Sequence, residues 1–180
     1  MRIRRAVAGD CDQIVNIAKS IKINYSPQNN GFLVYVLSPK EYLSRIRASR
    51  YFYVAEDGDE IKGFLMCYDS NTIVDLRKKL EHEDGVISFL LGQKKPFVFG
   101  DQIGVRPSNQ RSNTGRSMLE TLFKDMKNSK VNTCYVAILH EPVRNRASIR
   151  FCSSLGFKVV GEVTNMDEHV WGVYRKELQA

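Results

Sequence analysis

The part of the chain best suited to chemistry is the loop Gln110–Gly115, which lies between a strand and a helix. The strand before it ends at Val105, because Pro107 cannot donate a ladder hydrogen bond. The loop residues are small and polar, so their N–H groups are accessible at a helix start, where unpaired N–H groups and the dipole favour negative charge. Arg111 and Arg116 add positive charge. These features favour a phosphate or pyrophosphate cradle, with an ordinary strand–helix turn and solvated arginines as the alternative.

Two sequence blocks carry a family pattern, one at this loop and one further along the chain. The first follows V-x-P-x-x-(R/Q)-x-x-G-x-(G/A) at Val105, Pro107, Gln110 and Gly115, and Asn113 replaces the first glycine of the pattern. The second follows N-x-x-(A/S)-x-x-(F/L)-Y-x-x-x-G-F at Asn145, Ser148, Phe151, Gly156 and Phe157, with Cys152 at the tyrosine. Together they resemble the signatures of the GNAT superfamily of acyl-CoA N-acetyltransferases, and the resemblance covers most of the chain.

The resemblance implies that acetyl-CoA binds around the loop. The strand ending at Val105 would splay from the strand at residues 133–138, with the pantetheine arm between them. Amides of residues 111–116 would hold the pyrophosphate, and Gln110 and Asn113 would shape the turn. Asparagine in place of the first glycine is a mild departure, because asparagine tolerates a positive φ. Asn145 would contact the pantetheine arm or position the start of the fourth helix, with a plain helix N-cap as its alternative role. The implied cofactor-binding residues are Ile103, Gly104, Val105, Gln110, Arg111, Ser112, Asn113, Thr114, Gly115, Arg116 and Asn145.

The implied reaction is direct transfer of an acetyl group from acetyl-CoA to a primary amine. A neutral amine attacks the thioester carbonyl, a backbone N–H near Val105 stabilises the developing oxyanion, and the thiolate leaves. One proton must leave the attacking ammonium and another must reach the sulfur.

Four residues are candidate bases for the first proton. They are Asp101, Glu141, His140 and Glu56, of which Asp101 and Glu141 are the preferred pair. Strict alternation along the strand puts Asp101 on the face of Ile103 and Val105. His140 and Glu141 follow the strand expected beside the cofactor, and histidine has a convenient pKa. Each of the four has a plain surface role as its alternative.

Cys152 stands where many relatives have the tyrosine that protonates the leaving sulfur. A thiol has an unperturbed pKa of ~8.5 but is shorter than tyrosine. A small core residue is the favoured interpretation of Cys152, which leaves Tyr135, Tyr174 or solvent as the proton donor.

Composition excludes several classes of protein. The chain has 180 residues, of which 43% are hydrophobic, and no apolar run approaches the ~20 residues of a membrane span. The basic start of the chain is not followed by a long apolar stretch, so a secretory signal is not expected and a cytoplasmic location is predicted. Four scattered cysteines and three distant histidines favour reduced thiols and no metal site.

The net charge of +7 indicates an anionic ligand. Residues 101–150, which contain the loop, carry nine basic against four acidic residues. A nucleic-acid partner would also suit positive charge. No zinc finger, RNP-like aromatic motif or helix-turn-helix is recognisable, so no motif indicates nucleic acid.

Hydrophobic periodicity predicts seven strands and at least four helices. The strands are at residues 2–7, 51–56, 61–68, 97–105, 133–138, 157–163 and 169–176. The helices start at Asp10, with Gln13 completing a capping box, at Ser38, with Glu41, and at residues 115 and 145. Residues 73–82 are a further helical candidate in the ambiguous stretch 69–95.

These elements predict one α/β domain over residues 1–180, with a mixed sheet and helices on both faces. By resemblance, the sheet would be GNAT-like and mostly antiparallel, with splayed strands holding the acyl-CoA. The leading function is N-acetylation of an unidentified small-molecule, peptide or protein amine. A non-catalytic acyl-CoA-binding module and a basic acyltransferase acting on an RNA-associated target are the alternatives. A membrane partner is not expected, and the sequence leaves a homodimer open.

Overall fold

The computed structural model describes residues 1–25, 30–78, 84–110 and 112–179. These residues form seven strands and six α-helices. The strands are β1 (Arg2–Arg5), β2 (Phe52–Asp57), β3 (Glu60–Asp69), β4 (Phe97–Val105), β5 (Thr133–Glu141), β6 (Lys158–Thr164) and β7 (Val170–Glu177). The helices are α1 (Cys11–Ser20), α2 (Pro39–Ala48), α3 (Ser70–Arg77), α4 (Gly85–Leu91), α5 (Thr114–Asn128) and α6 (Arg146–Ser154).

All seven strands belong to one sheet in the order β1-β2-β3-β4-β5-β7-β6. Every neighbouring pair is antiparallel except the central pair β4 and β5, which is parallel. The predicted mixed, mostly antiparallel sheet is therefore confirmed.

Helices cover both faces of the sheet, as predicted. Side chains from α1, α2, α3 and α4 pack on one face around Phe64 and Phe97. Side chains from α5 and α6 pack on the other face around Met118 and Leu122. Burying each such large apolar side chain contributes about 1.5–3 kcal/mol, so both layers stabilise the central strands.

One of the two predicted capping boxes is confirmed and the other is wrong. Ser38 Oγ accepts the Glu41 N–H at 3.3 Å, and the Glu41 carboxylate accepts the Ser38 N–H at 2.7 Å. Asp10 precedes α1 without capping it by its side chain, because its carboxylate pairs with Arg4 at 2.7 Å. Gln13 accepts a backbone N–H of β3 at 2.8 Å instead of returning to the helix start.

The ambiguous stretch 69–95 contains two short helices. Asp69 accepts the N–H groups of Asn71 and Thr72 at 3.1 and 2.9 Å, so α3 starts before the predicted residue 73. The end of the predicted helix, residues 79–82, lies outside the described residues. Asp84 then caps α4 by accepting the Ile87 N–H at 2.9 Å.

The central strands separate beyond their first four residues. β4 and β5 pair from Phe97 and Thr133 to Gly100 and Val136. Both strands continue beyond that point, to residues 105 and 141, with no further pairing between their described residues. The predicted splay is confirmed, and it opens a gap in the middle of the sheet.

Candidate functional site

The free edge of β4 presents main-chain groups to this gap. The Arg106 N–H donates to the Lys62 carbonyl of β3 at 2.9 Å. Bonding direction alternates along an antiparallel ladder, so the N–H and C=O groups of Ile103 and Val105 point away from β3 and into the gap. The side-chain amide of Gln110 donates to the Val105 carbonyl at 3.4 Å, which ties the following loop to the end of this edge.

A β-bulge adds one residue to β4 at Asp101. Met66 of β3 pairs with Gln102, and the next residue, Cys67, pairs with Gly100. Asp101 therefore has no partner in the ladder, and the regular alternation of side chains is interrupted there.

The bulge turns the Asp101 side chain to the face opposite the predicted one. Asp101 and Gln102 both bond to tyrosines of the cluster packed by α1 and α2. Ile103 and Val105 pack against the cluster on the α5 side. The prediction that Asp101 shares a face with Ile103 and Val105 is wrong, because it assumed a regular strand.

Asp101 is an exposed residue, although the neighbouring protein removes part of the hydration of its carboxylate. Loss of hydration raises its pKa to about 6, and the Tyr68 hydroxyl, which donates to Oδ2 at 3.1 Å, and the charge of Arg45 offset part of that rise. A carboxylate with this pKa is ionised at neutral pH and well matched to accept a proton there.

Two recesses meet at the free edge of β4. The α5 recess lies beside the start of α5 and has a volume of about 470 Å³. The β4 recess contains Asp101 and has a volume of about 180 Å³. They lie side by side and have the wall residues Phe32, Ile103, Ser148 and Phe151 in common, and together they are called the cleft.

The loop before α5 is held by its own hydroxyl groups. Ser112 Oγ lies 2.7 Å from Thr114 Oγ1 and accepts the Thr114 N–H at 3.3 Å. Asn113 has a φ of −75°, so the tolerance of asparagine for positive φ plays no part in this turn. The next two amides, of Gly115 and Arg116, have no intrahelical partner by the geometry of a helix start. They are available to an anion.

Gly115 keeps the α5 recess open. A Cβ at this position would lie 3.3 Å from the Phe151 ring and 3.5 Å from Ile103. Both neighbours line the recess, so a side chain at residue 115 would fill space that a bound group needs. The residues present therefore fit a ligand that approaches the start of α5 closely.

The arginines of the loop differ in their placement. Arg116 donates to Ser154 at 3.4 Å, at the end of α6. Arg111 lies outside the described residues. Arg150 of α6, which was not predicted, lines the α5 recess and brings a positive charge to it.

Asn145 joins three parts of the cleft. Its side chain caps α6 by accepting the Ser148 N–H at 3.1 Å and donates to the Phe32 carbonyl at 3.0 Å. Its own N–H donates to the Leu139 carbonyl at 3.0 Å. The predicted N-cap is confirmed, and the buried amide also fixes the loop after α1 against the end of β5.

Cys152 lines the β4 recess but is a poor acid. The side chain is buried, and loss of hydration raises the pKa of its thiol to about 12. The alternative donors lie elsewhere: the Tyr135 hydroxyl donates to Gln93 at 3.2 Å, and the Tyr174 hydroxyl is 2.9 Å from His140 Nε2. Neither tyrosine is among the described residues that line the β4 recess.

The other candidate bases do not lie with Asp101. Glu141 is exposed at the end of β5, and Glu56 pairs with Arg4 at the far side of the sheet. His140 is buried at a second bulge, between Glu162 and Tyr174. None of the three is among the described residues lining either recess.

Asp84 and Trp171 also line the β4 recess and were missed in the sequence. Asp84 had a usable signal, since it precedes the apolar run 86–91 as a helix-capping residue. Trp171 lies within a predicted strand and has no local pattern that indicates a site.

The described residues contain no group of three histidine, cysteine or acidic side chains that could hold a metal ion. No helix in the described ranges has the length and apolar character needed to cross a bilayer. All four cysteines are described, and each is buried and free.

Comparison with known proteins supplies the family context. The model of the acetyltransferase (GNAT) family matches residues 24–157. A search of curated proteins found no match. Ard1 from Thermoplasma volcanium has a similar structure, with a TM-score of 0.74, 12% identity and coverage of 99% of this chain and 98% of that chain.

Two further similar structures were solved with a cofactor. One is yncA from Salmonella typhimurium with acetyl-CoA, with a TM-score of 0.67, 19% identity and coverage of 100% of this chain and 95% of that chain. The other is PaiA N-acetyltransferase from Thermoplasma acidophilum with coenzyme A, with a TM-score of 0.67, 14% identity and coverage of 98% of this chain and 98% of that chain. These likenesses concern the fold.

Proposed function

The chain belongs to the acetyltransferase (GNAT) family, and from that premise we propose that it transfers an acetyl group from acetyl-CoA to a primary amine of a small molecule or peptide. The observation that carries the proposal is the adjacency of two recesses, one suited to phosphates and the other containing an ionisable carboxylate, Asp101.

The α5 recess supplies the groups that would bind the cofactor. The amides of Gly115 and Arg116 would bind the pyrophosphate at the start of α5, where the dipole adds partial positive charge. Arg150 adds a full charge. The main-chain groups of Ile103 and Val105 would pair with the amides of the pantetheine arm as an added strand would.

The β4 recess supplies the groups that would act on the acceptor. Bound acetyl-CoA contributes an activated thioester. Asp101 takes a proton from the acceptor ammonium, which frees the nitrogen lone pair for attack. The Val105 N–H, which points into the gap, would stabilise negative charge on the acyl oxygen. The new C–N bond forms as the C–S bond breaks. The nitrogen then releases its second proton to solvent, and solvent returns a proton to the thiolate.

Binding and transfer can be tested on the full chain. We expect saturating acetyl-CoA to stabilise the fold by ~2.7 kcal/mol at a hundredfold excess over Kd. For a chain of this size, that raises Tm by about 5–10 °C. Transfer would be measured as thiol release with a panel of amines. An unchanged melting curve at saturating acetyl-CoA would exclude the cofactor assignment, and binding without transfer to any amine would favour the non-catalytic module.

Gly115→Glu tests the position of the phosphate site. A carboxylate beside Phe151 would fill the recess and repel the pyrophosphate, so we expect affinity for acetyl-CoA to fall at least about 100-fold. Gly9→Glu is the matched control, because a Cβ added at Gly9 meets nothing within 4 Å. Unaltered affinity in a folded Gly115→Glu variant would place the phosphates elsewhere.

A further inference from the structure

The two recesses carry opposite charge. Among the described residues that line them, the charged side chain of the α5 recess is Arg150, whereas those of the β4 recess are Asp84 and Asp101. The first suits an anionic cofactor. The second is a small space with two carboxylates. Acetylation of an amine requires only one base, so the second carboxylate is free for another role.

Asp84 is held rigidly at the wall of the β4 recess. Its Oδ1 accepts the Ile87 N–H at 2.9 Å, and the neighbouring Gly85 N–H donates to Asn165 at 2.9 Å. These bonds fix the start of α4 against the turn between β6 and β7. A carboxylate has about four lone-pair sites, so the capping bond leaves Asp84 able to bind a further donor. The charge of Asp84 also contributes to the raised pKa of Asp101, so the two carboxylates lie within electrostatic reach of each other.

Aromatic rings complete the wall near the carboxylates. Tyr35 and Trp171 line the β4 recess and stack on each other with ring centroids 6.1 Å apart. Aromatic faces attract ammonium groups, most strongly where water is partly excluded. The wall therefore offers a cation both carboxylate and aromatic contacts.

The volume of the recess limits the acceptor. About 180 Å³ is less than the ~300–1,000 Å³ of sites for drug-sized ligands. A short aliphatic chain fits this space better than a ring system.

We propose that the acceptor is a short aliphatic diamine or polyamine, with one amine at Asp101 and a second ammonium held by Asp84 beside Tyr35 and Trp171. This inference rests on the proposed function. The balanced reaction converts the diamine and acetyl-CoA into the mono-N-acetyl diamine and CoA. One C–N bond forms and one C–S bond breaks. The reacting ammonium loses two protons: one passes through Asp101 to solvent, and the other is matched by the proton gained by sulfur.

Binding to the CoA-loaded full chain tests the second charge without requiring turnover. Calorimetry would compare 1,3-diaminopropane, 1,4-diaminobutane and 1,6-diaminohexane with the alkylamines of equal length. A hydrogen-bonded charge pair is worth at least one factor of ten in affinity, so the best diamine should bind about tenfold or more tighter than its alkylamine. Asp84→Asn should reduce this advantage to about parity and leave alkylamine affinity within about twofold. Asparagine caps helices as well as aspartate, so the variant keeps the start of α4.

Asp75→Asn is the matched control, because it removes one exposed negative charge from α3, outside the recess. It should retain the full advantage of the diamine. The inference would be overturned if diamines did not bind, or if they bound no more tightly than alkylamines. It would also be overturned if Asp84→Asn kept the higher affinity for diamines.

Thiol release, measured in parallel, separates this inference from the proposed function. Diamines that bind as expected but release no thiol would refute the transfer reaction and leave the diamine site standing. Alkylamines acetylated as efficiently as diamines would support the transfer reaction and refute the diamine site.

Discussion

Replacing Asp101 with asparagine separates its proposed chemistry from its effect on stability. Asparagine has nearly the same shape and still accepts the Tyr68 hydroxyl bond, but it cannot take up a proton. A general base contributes ~100- to 10,000-fold to the rate, so we expect Asp101→Asn to lower kcat/KM by a factor in this range. In wild type, kcat/KM should fall as pH drops through about 6, the pKa of Asp101, and this acid limb should be absent from the variant.

The same substitution should stabilise the protein at high pH. Loss of hydration raises the pKa of Asp101 from 3.8 to about 6, so the folded state favours the neutral acid. The stability that this pKa shift contributes to the folded state is present below about pH 4 and is lost as pH rises through about 6. The full shift corresponds to about 3 kcal/mol. Because solvent reaches the carboxylate and screens it, we expect a gain of about 1 kcal/mol for Asp101→Asn at pH 8.

Thermal unfolding at two pH values would measure this gain. For a domain of this size, 1 kcal/mol raises Tm by about 2–4 °C, so the variant should melt higher than wild type at pH 8 and equal to it at pH 4. Thiol release with an accepted amine would give the rates. A variant with wild-type kcat/KM and an unchanged acid limb would refute Asp101 as the base. A Tm at pH 8 equal to or below that of wild type would refute the electrostatic account.

Two further predictions concern buried residues around the cleft. Cys152→Ala should cost about 1–2 kcal/mol of stability. It should leave the rate of thiol release within about tenfold of wild type, because the raised pKa of the thiol makes it a poor acid. A loss of 100-fold or more with acetyl-CoA binding intact would instead make Cys152 the proton donor. Gly172→Ala should destabilise the protein by about 1–3 kcal/mol in urea unfolding, because the added Cβ would overlap the buried His140 ring; an unchanged unfolding midpoint would show that the ring can move aside.

The sequence predicted best where one local pattern decides the structure. The capping box at Ser38 and Glu41, the start of α5 to within one residue and the bounds of β4 were all readable, because each depends on neighbouring residues. The loop at Gly115 was readable for the same reason. A strand, a proline, small residues and a helix follow one another directly in the chain.

Tertiary contacts decided the features that the sequence did not predict. Asp10 has the residue type of a helix cap, but an ion pair with Arg4 of β1 holds its carboxylate. The direction of Asp101 depends on its register against β3, and no residue of β4 itself encodes a bulge. Asp84 and Trp171 are distant in sequence and become neighbours of Asp101 only through the packing of α4 and β7.

The bulge at Asp101 amounts to a single-residue insertion in an otherwise regular ladder. If the codon for Asp101 were deleted, Gly100 would still pair with Cys67 and Gln102 with Met66. Each flanking residue would keep its face, because the Cβ direction at Gly100 and the side chain of Gln102 already point to opposite sides. What the deletion removes is the carboxylate and the local bend that a bulge imposes on its strand. Gain or loss of one residue at this point would therefore change the cleft and leave the pairing of the strands intact. This acidic group can accordingly be gained or lost in evolution without a change of fold.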